Sequence, residues 1–304
     1  MVNSDPHLLI VGAGAMGCLF AARLKRAGFQ ITVLEKVQET VDRISMEGIT
    51  VEGISGHCGV KVHAYSGHAP HQPDLVIICV KSYDTREASE TLRPWLNPDA
   101  PILTLQNGVG NIEILQELFG KGRVLGGVTA EGATVLAPGK IRHAGQGETI
   151  VGGGKAAGEI VSVFEKAGFN SRAVEDINPY IWGKLIINVG INALAAITRL
   201  NNGRLPELKG TRSIIEEAVS EAVTIIKAKN IGIPYPDPVG RVVDVCKATA
   251  GNVASMLQDV LNKKRTEIDS INGAIVREGA ALGIPTPVNS TLTSLVQAIQ
   301  ETYQ

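Results

Sequence analysis

Residues 8–35 read LLIVGAGAMGCLFAARLKRAGFQITVLE and predict one complete strand–helix–strand unit. The apolar run Leu8 to Val11 is typical of a buried strand, and the helical pattern Ala15 to Ala27 ends at Gly28. A β-rich run, Gln30 to Glu35, follows. Two further runs are almost wholly apolar, as parallel strands covered on both faces should be. They are Leu75 to Val80 and Ile102 to Leu105. The sequence therefore predicts an α/β fold with a Rossmann-type, doubly wound parallel sheet.

The loop between the first strand and the first helix fits the pattern G-x-G-x-x-G. Its residues are Gly12, Ala13, Gly14, Ala15, Met16 and Gly17. In this position the first glycine permits the turn, the second lets a pyrophosphate approach the backbone, and the third lets the helix pack closely on the sheet. The alternative is a glycine-rich turn without a ligand. The strand before the loop and the helix after it favour a dinucleotide site.

Polar residues follow the ends of the predicted strands. Glu35-Lys36 comes after the second strand, Lys81 after Val80, and Gln106-Asn107-Gly108 after Leu105. We expect them to meet in one crevice, because open α/β sheets bind ligands beyond the carboxyl ends of their strands. Glu35 and Lys36 favour different cofactors. A carboxylate there suits the ribose hydroxyls of NAD, whereas a cation suits the 2′-phosphate of NADP.

From about Asp176 onward the apolar residues repeat with a helical period. One stripe comprises Ile214, Ile215, Ala218, Val219, Ala222, Val223 and Ile226. Two further helices are predicted over Ala250 to Leu261 and Ile268 to Ile275. We therefore expect a dinucleotide-binding domain over residues 1–176 and an all-helical substrate or catalytic domain over residues 177–304.

Lys184, Asn188 and Asn192 are spaced i, i+4, i+8 within an otherwise apolar helical segment. They fall along one line of the helix. A buried amide without a partner costs about 1–3 kcal/mol, so three such groups in a dry core are disfavoured. One interpretation is structural, with a lysine salt bridge between domains and asparagines bonded to backbone. The other is a catalytic lysine with amide clamps, because an alkoxide formed by hydride transfer needs a proton and a positive charge.

A second polar set lies further along the chain. Asn252, Ser255 and Asp259 are predicted to share one helix face, and Thr266 is a candidate N-cap for a helix opened by Glu267. A serine hydroxyl suits a substrate carboxylate. Glu267 is a candidate for orienting Lys184 or for binding a ribose, although such residues are more often solvated surface.

Taken together, these motifs resemble the 2-dehydropantoate 2-reductase (ketopantoate reductase) family nearly end to end. The motifs are Gly12 to Gly17, Lys81, Gln106-Asn107-Gly108, Trp182 to Leu185 with Asn188 and Asn192, Asn252 to Asp259, and Thr266 to Asp269. The resemblance implies NADPH-dependent reduction of 2-dehydropantoate to pantoate, on the route to pantothenate and coenzyme A. It also implies a Rossmann-type N-terminal domain and a helical C-terminal domain.

The resemblance also implies roles for individual residues. Lys184 matches the family's proton donor, and Asn107 matches a residue that touches both nucleotide and substrate. The substrate-binding positions are Asn107, Lys184, Asn188, Asn192, Asn202, Asn252 and Ser255. Cofactor-binding positions beyond the glycine loop are Lys36, Lys81, Asn107, Ala133 and Glu267. Where the family commonly has arginine, this chain has Lys36, a point charge and not a bidentate fork, so we expect NADP with a weakened preference.

Composition excludes several other functions. The chain has 304 residues and a formal net charge of -1, which disfavours nucleic-acid backbone binding and basic membrane-surface binding. Its four cysteines form no CxxC pair and indicate reduced thiols in a cytoplasmic protein. His57, His63, His68 and His71 lie near Cys58, but their spacing fits no zinc pattern, so we predict no metal site.

Two rival functions remain at this point. The first is a related 2-oxo acid or 3-hydroxy acid dehydrogenase with a different substrate. The second is a non-catalytic NADPH-binding sensor, in which Lys184, Asn188 and Asn192 would bind a partner domain. If the chain is a ketopantoate reductase or a related dehydrogenase, its binding partner is a small 2-oxo acid. The chain is a candidate homodimer.

Overall fold

A computed structural model describes residues 6–303 of the chain. The strands are β1 (His7–Val11), β2 (Gln30–Leu34), β3 (Ile49–Gly53), β4 (Cys58–Val60), β5 (His63–Tyr65), β6 (Leu75–Ile78), β7 (Ile102–Thr104), β8 (Val124–Thr129), β9 (Gly132–Ala137), β10 (Lys140–Gly145), β11 (Thr149–Gly152) and β12 (Ser171–Val174). Five α-helices accompany them, namely α1 (Ala15–Arg26), α2 (Gln38–Glu47), α3 (Thr85–Leu92), α4 (Asn111–Phe119) and α5 (Ala157–Lys166). The remaining α-helices are α6 (Asn178–Thr198), α7 (Lys209–Ala228), α8 (Pro238–Ala248), α9 (Ser255–Leu261), α10 (Asn272–Leu282) and α11 (Pro287–Glu301).

The chain forms two compact units. The first holds the described residues up to Gln106 together with Gly110–Ile177. The second holds Asn107–Val109 together with the described residues from Asn178 onward. Each unit has its own hydrophobic core. The short segment Asn107–Val109 thus belongs to a different unit from the strand that precedes it.

The main sheet of the first unit has eight strands in the order β12-β11-β8-β7-β6-β1-β2-β5. Neighbouring strands are parallel, except that β11 runs antiparallel to β8. Consecutive residues of β1, Leu8 to Ile10, are fully buried, so both faces of the central strand are covered. This confirms the predicted Rossmann-type α/β fold, with its crossover helices between parallel strands.

A second, four-stranded sheet in the first unit has the order β4-β3-β10-β9. It pairs β3 with β10 in parallel, although the two strands are far apart in the sequence. The sequence analysis did not predict this sheet. β4 has only three residues, β9 has no buried residue, and β3 and β10 alternate buried with more exposed residues. None of the four strands therefore has the continuous apolar run that indicates a strand buried on both faces.

Every described element of the second unit is helical, as predicted. The apolar stripe falls on α7, and α6 contributes most of its residues to the core. Among the described residues, α6 is also the one helix long and apolar enough to span a membrane, yet 67% of its most apolar stretch is buried in the protein. That burial is typical of the core helix of a folded domain.

Two predicted helix boundaries are wrong. The helix expected from Ala250 begins only at Ser255, because the chain turns after Thr249, with the Asn252 N–H donating to the Thr249 carbonyl at 2.8 Å. Asn252 therefore does not share a helix face with Ser255 and Asp259.

The helix expected to open at Glu267 is interrupted as well. A short 3₁₀ turn, Ile268–Ser270, comes first, and α10 starts at Asn272. The Thr266 hydroxyl accepts the Ile268 N–H at 3.3 Å, but Glu267 is the N-cap residue of this turn and Ile271 that of α10, so the predicted N-cap role of Thr266 is wrong.

Candidate active site

The glycine loop needs its first and third glycines for packing, while its second leaves space. Gly12 has a φ of +99°, and a Cβ there would lie 2.8 Å from the Val80 nitrogen. A Cβ at Gly17 would lie 1.9 Å from the Gly12 oxygen, whereas one at Gly14 would meet no atom of residues 6–303 within 4 Å. The open side at Gly14 and the N-terminus of α1 fit a pyrophosphate held by backbone amides.

A buried cysteine of α1 also binds the glycine loop. The Cys18 thiol donates to the Ala13 carbonyl at 3.2 Å. Burial raises the pKa of Cys18 to about 12 and that of Cys79 to about 12. Both thiols therefore stay protonated and contribute packing here, not chemistry.

The strands that precede the polar segments are neighbours, in the order β7-β6-β1-β2, and all are parallel. Their carboxyl ends therefore share one edge of the sheet. Gln106 joins two of these ends, because its amide donates to the Val80 carbonyl at 2.9 Å. Lys81 follows Val80 and is half-buried, and its carbonyl accepts the Asp84 N–H at 2.9 Å.

Glu35 is bonded to the glycine loop. Its Oε2 accepts the Ala13 N–H at 2.8 Å, and its Oε1 accepts the Val37 N–H at 3.0 Å. Both carboxylate oxygens are thus held at the end of β2. A carboxylate has about four lone-pair sites, so Glu35 retains capacity for ribose hydroxyls.

The Lys36 ammonium contacts two acidic side chains from the segment of chain that follows β6. Its Nζ lies 2.7 Å from Asp84 Oδ1 and 3.4 Å from Glu87 Oε2. The hydrogen bond to Asp84 is the main cause of a raised pKa for Lys36. Sequence reasoning missed both acidic residues, although their position shortly after Lys81, at the edge that carries the glycine loop, was a usable signal.

Ala133, the other residue expected at the cofactor, lies on β9 of the second sheet. It pairs with His143 of β10 and packs against the core of the first unit. Its assignment as a cofactor contact stays a prediction.

In the second unit, Lys184, Asn188 and Asn192 all lie on α6, on one line of that helix. Lys184 and Asn188 are half-buried and Asn192 is buried. Burial lowers the pKa of Lys184 to about 8, while the nearby Glu267 carboxylate acts in the opposite direction. The protein therefore holds an ammonium whose proton is more easily released than that of a surface lysine.

Glu267 and Asn107 complete this group. Glu267 is 6% exposed, and the Asn107 Nδ2 lies 3.5 Å from its Oε2. The segment after Asn107 is fixed on the turn after Glu267, because the Val109 N–H donates to the Ser270 carbonyl at 3.3 Å. A Cβ at Gly108 would lie 2.4 Å from that same carbonyl oxygen, so the close approach requires glycine there. The structure thus brings Lys184, Glu267 and Asn107 together.

Asn188 has a buried side-chain nitrogen with no hydrogen-bond partner among residues 6–303. A buried amide donor left this way is costly in the unliganded protein. A ligand with an oxygen acceptor would satisfy it.

Asn202 and Asn252 are joined through the backbone, since the Asn202 N–H donates to the Asn252 carbonyl at 3.1 Å. The Asn202 side chain is buried and donates to the Thr249 hydroxyl at 2.9 Å. Asn252 and Ser255 are exposed, and Ser255 is the first residue of α9. The structure therefore anchors Asn202 and leaves the other two side chains available.

No group of three or more His, Cys, Asp and Glu side chains within residues 6–303 is arranged to hold a metal ion. Cys58 and His63 lie on separate strands, β4 and β5, which belong to different sheets.

Comparisons with known proteins show which family this chain resembles. The family model "Ketopantoate reductase PanE/ApbA" matches residues 8–156, and its C-terminal counterpart matches residues 176–300. The curated 2-dehydropantoate 2-reductase of Halobacterium salinarum is 33% identical over 301 residues, covering 97% of this chain and 99% of that protein.

Two solved structures are similar over nearly the whole chain. A PanE/ApbA family ketopantoate reductase from Ralstonia eutropha JMP134 has 35% identity and a TM-score of 0.91, covering 98% of this chain and 99% of its own. D-mandelate dehydrogenase, solved with NADH and anilino(oxo)acetate, has 26% identity and a TM-score of 0.91 over the same shares. Both domain models and a full-length curated relative thus agree, and the chain belongs to the ketopantoate reductase PanE/ApbA family.

Proposed function

We propose that this chain reduces 2-dehydropantoate to (R)-pantoate with NADPH as the hydride donor and Lys184 as the proton donor. One observation carries the proposal: on the apolar helix α6, a lysine beside the Glu267 carboxylate has its pKa lowered by burial to about 8. A general acid works best when its pKa lies near the working pH. Such an ammonium is still mostly protonated at neutral pH, and it gives up its proton readily.

NADPH, when bound, would supply the hydride for the carbonyl carbon C2 of the substrate. The Lys184 Nζ holds its proton for the substrate oxygen and, before transfer, offers a positive charge to the alkoxide that forms there. One hydride and one proton convert the ketone to the alcohol, which leaves Lys184 neutral until solvent reprotonates it.

Amide and hydroxyl groups would hold the substrate. Asn107, Asn188, Asn192, Asn252 and Ser255 are assigned to this task, and the unpartnered buried nitrogen of Asn188 supports its part in it. Asn202 is assigned a less direct contact, because its side chain is bonded to Thr249 and its N–H fixes the Asn252 carbonyl.

The cofactor contacts are assigned to the glycine loop, Gly12 to Gly17, and to five other positions. These are Lys36, Lys81, Asn107, Ala133 and Glu267. The open space beside Gly14 and the position of this glycine as the N-cap of α1 support pyrophosphate binding at the loop. A cytoplasmic location follows from this biosynthetic role.

A second candidate function is reduction of a different 2-oxo acid. The D-mandelate dehydrogenase structure, 26% identical over nearly the whole chain, favours this alternative. The chemistry at Lys184 would be the same, and only the substrate side chain would differ.

The deciding experiment measures NADPH oxidation with 2-dehydropantoate and with a panel of branched, unbranched and aromatic 2-oxo acids. We expect the highest kcat/KM with 2-dehydropantoate. Activity confined to an aromatic or unbranched acid would contradict 2-dehydropantoate as the substrate and support the second candidate function. Stoichiometric NADPH binding without oxidation by any 2-oxo acid would identify a sensor and contradict catalysis.

A further inference from the structure

Four charged side chains surround the end of β2, where the adenosine ribose of a dinucleotide is expected in this fold. They are Glu35, Lys36, Asp84 and Glu87. Glu35 is bonded to the Ala13 and Val37 amides, so its charge is fixed beside the glycine loop. Three carboxylates and one ammonium leave this group with a net negative charge.

Lys36 is the cation in this group that a 2′-phosphate would need, and it is already paired. Its Nζ lies 2.7 Å from Asp84 Oδ1, the length of a charge-assisted hydrogen bond. The Asp84 side chain is 19% exposed, whereas Glu87, 3.4 Å from the same Nζ, is 68% exposed. Asp84 is therefore the less solvated and closer partner, and it holds Lys36 more strongly than Glu87 does.

From this geometry we propose that Asp84 is a specificity-determining residue that lowers the preference for NADPH over NADH by competing with a 2′-phosphate for Lys36. The proposal rests on the proposed dinucleotide-dependent function. A 2′-phosphate must displace or share the Asp84 carboxylate and approach a second fixed carboxylate, Glu35. NADH, with only hydroxyls at that ribose, leaves the Lys36–Asp84 pair in place.

Asp84→Asn weakens the pair with Lys36, and we expect it to leave the local fold in place. Asp84 precedes α3, but its side chain makes no cap hydrogen bond to that helix. Its N–H, which donates to the Lys81 carbonyl, is retained in any substitution other than proline. Asp84→Asn keeps the shape of the side chain and removes only the charge.

The test measures dissociation constants of the purified full-length protein for NADPH and NADH by calorimetry, without substrate. The pair 2′,5′-ADP and 5′-AMP is measured in parallel, because these ligands report on the adenosine ribose alone. We expect Asp84→Asn to raise the affinity for NADPH and 2′,5′-ADP by about threefold to tenfold, with little change for NADH and 5′-AMP. High salt should reduce the difference, because an exposed pair is screened.

Glu87→Gln is the matched control, since it removes one carboxylate from the same cluster at a longer and more exposed contact. We expect a clearly smaller effect. Lys36→Met should remove the gain when combined with Asp84→Asn. An unchanged ratio of NADPH to NADH affinity in Asp84→Asn, or an equal effect in Glu87→Gln, would overturn the proposal while the proposed function stands. Failure of the wild-type protein to bind either dinucleotide would overturn both.

Discussion

The Asn107 amide nitrogen lies 3.5 Å from the Glu267 carboxylate, although 160 positions separate the two residues in the chain. Asn107 follows a strand of the first unit but packs with the second unit, on the turn after Glu267. Glu267 in turn acts electrostatically on Lys184. The environment of the proposed proton donor is therefore built from parts of the sequence that lie far apart, around residues 107, 184 and 267.

Replacing Lys184 with alanine should remove the proton donor. We expect kcat to fall by about 10²- to 10⁴-fold, the usual contribution of a positioned general acid, with little change in the NADPH dissociation constant. Steady-state kinetics and a binding titration check both values. Lys227→Ala, at an exposed position of α7, is the control and should keep full activity. An unaltered kcat in Lys184→Ala would refute the assigned role.

The rate of reduction should depend on pH through Lys184. Burial lowers its pKa to about 8 in the free protein, and only the protonated form donates, so kcat/KM, which reports groups of the free enzyme, should be level at lower pH and fall as pH rises through about 8. Glu267→Gln removes the negative charge that favours the ammonium, so it should move the falling limb to lower pH. Rate profiles of both proteins between pH 6 and pH 10 measure the shift. A limb that moves to higher pH in the variant would contradict this electrostatic account.

Alanine at Gly17 should damage the fold, whereas alanine at Gly14 should not. The new Cβ at Gly17 would lie 1.9 Å from the Gly12 oxygen and 3.1 Å from the Gly12 carbonyl carbon, and both are backbone atoms. Overpacking of this kind costs about 1–3 kcal/mol, so we expect a lower Tm.

A Cβ at Gly14 meets no atom of the described part of the chain within 4 Å, so Gly14→Ala should keep the wild-type Tm. It should weaken NADPH binding, because its methyl group intrudes where the pyrophosphate is expected. Thermal unfolding and dinucleotide titration of the two variants separate the effects. Equal loss of Tm in both would show that the Gly14 position is not open.

Asn188→Leu should stabilise the free protein and impair catalysis. The Asn188 nitrogen is buried without a partner among the described residues, so an apolar side chain should raise the free energy of unfolding by about 1 kcal/mol. The KM for the oxo acid should rise because an assigned substrate contact is lost. Asn289→Leu provides the contrast, since that amide donates to the Ala218 carbonyl and to Glu221. It should destabilise by about 1–3 kcal/mol, as chemical denaturation would reveal. A destabilised Asn188→Leu protein would indicate a structural role for this amide.

The first strand–helix–strand unit and the strands β6 and β7 were predictable from the sequence. The glycine loop, β1, α1 and β2 are contiguous, and their local pattern of apolar residues and glycines predicts both the elements and the parallel pairing. The line of Lys184, Asn188 and Asn192 was equally clear, since residues at i, i+4 and i+8 share one line of any helix.

The sequence misjudged places where a local pattern competes with longer-range contacts. The pattern predicts Asn252 in a helix that starts at Ala250, but the chain turns there, and the Asn252 carbonyl accepts the N–H of Asn202 from another part of the chain. The second sheet escaped notice for a similar reason, because β3 and β10 find each other only in the folded unit.

Residue identity and local spacing thus determined by themselves which side chains bear a charge or an amide and which helix or strand carries most of them. Only the tertiary structure decided how those charges are paired. Lys36 was expected to bind a phosphate, yet folding sets Asp84 at 2.7 Å from its ammonium. Lys184 was singled out by its spacing on the helix, but only its burial in the folded protein lowers its pKa to about 8. The physical reason is that electrostatic energy depends on distance and desolvation in space, and neither quantity is encoded in the separation of residues along the chain.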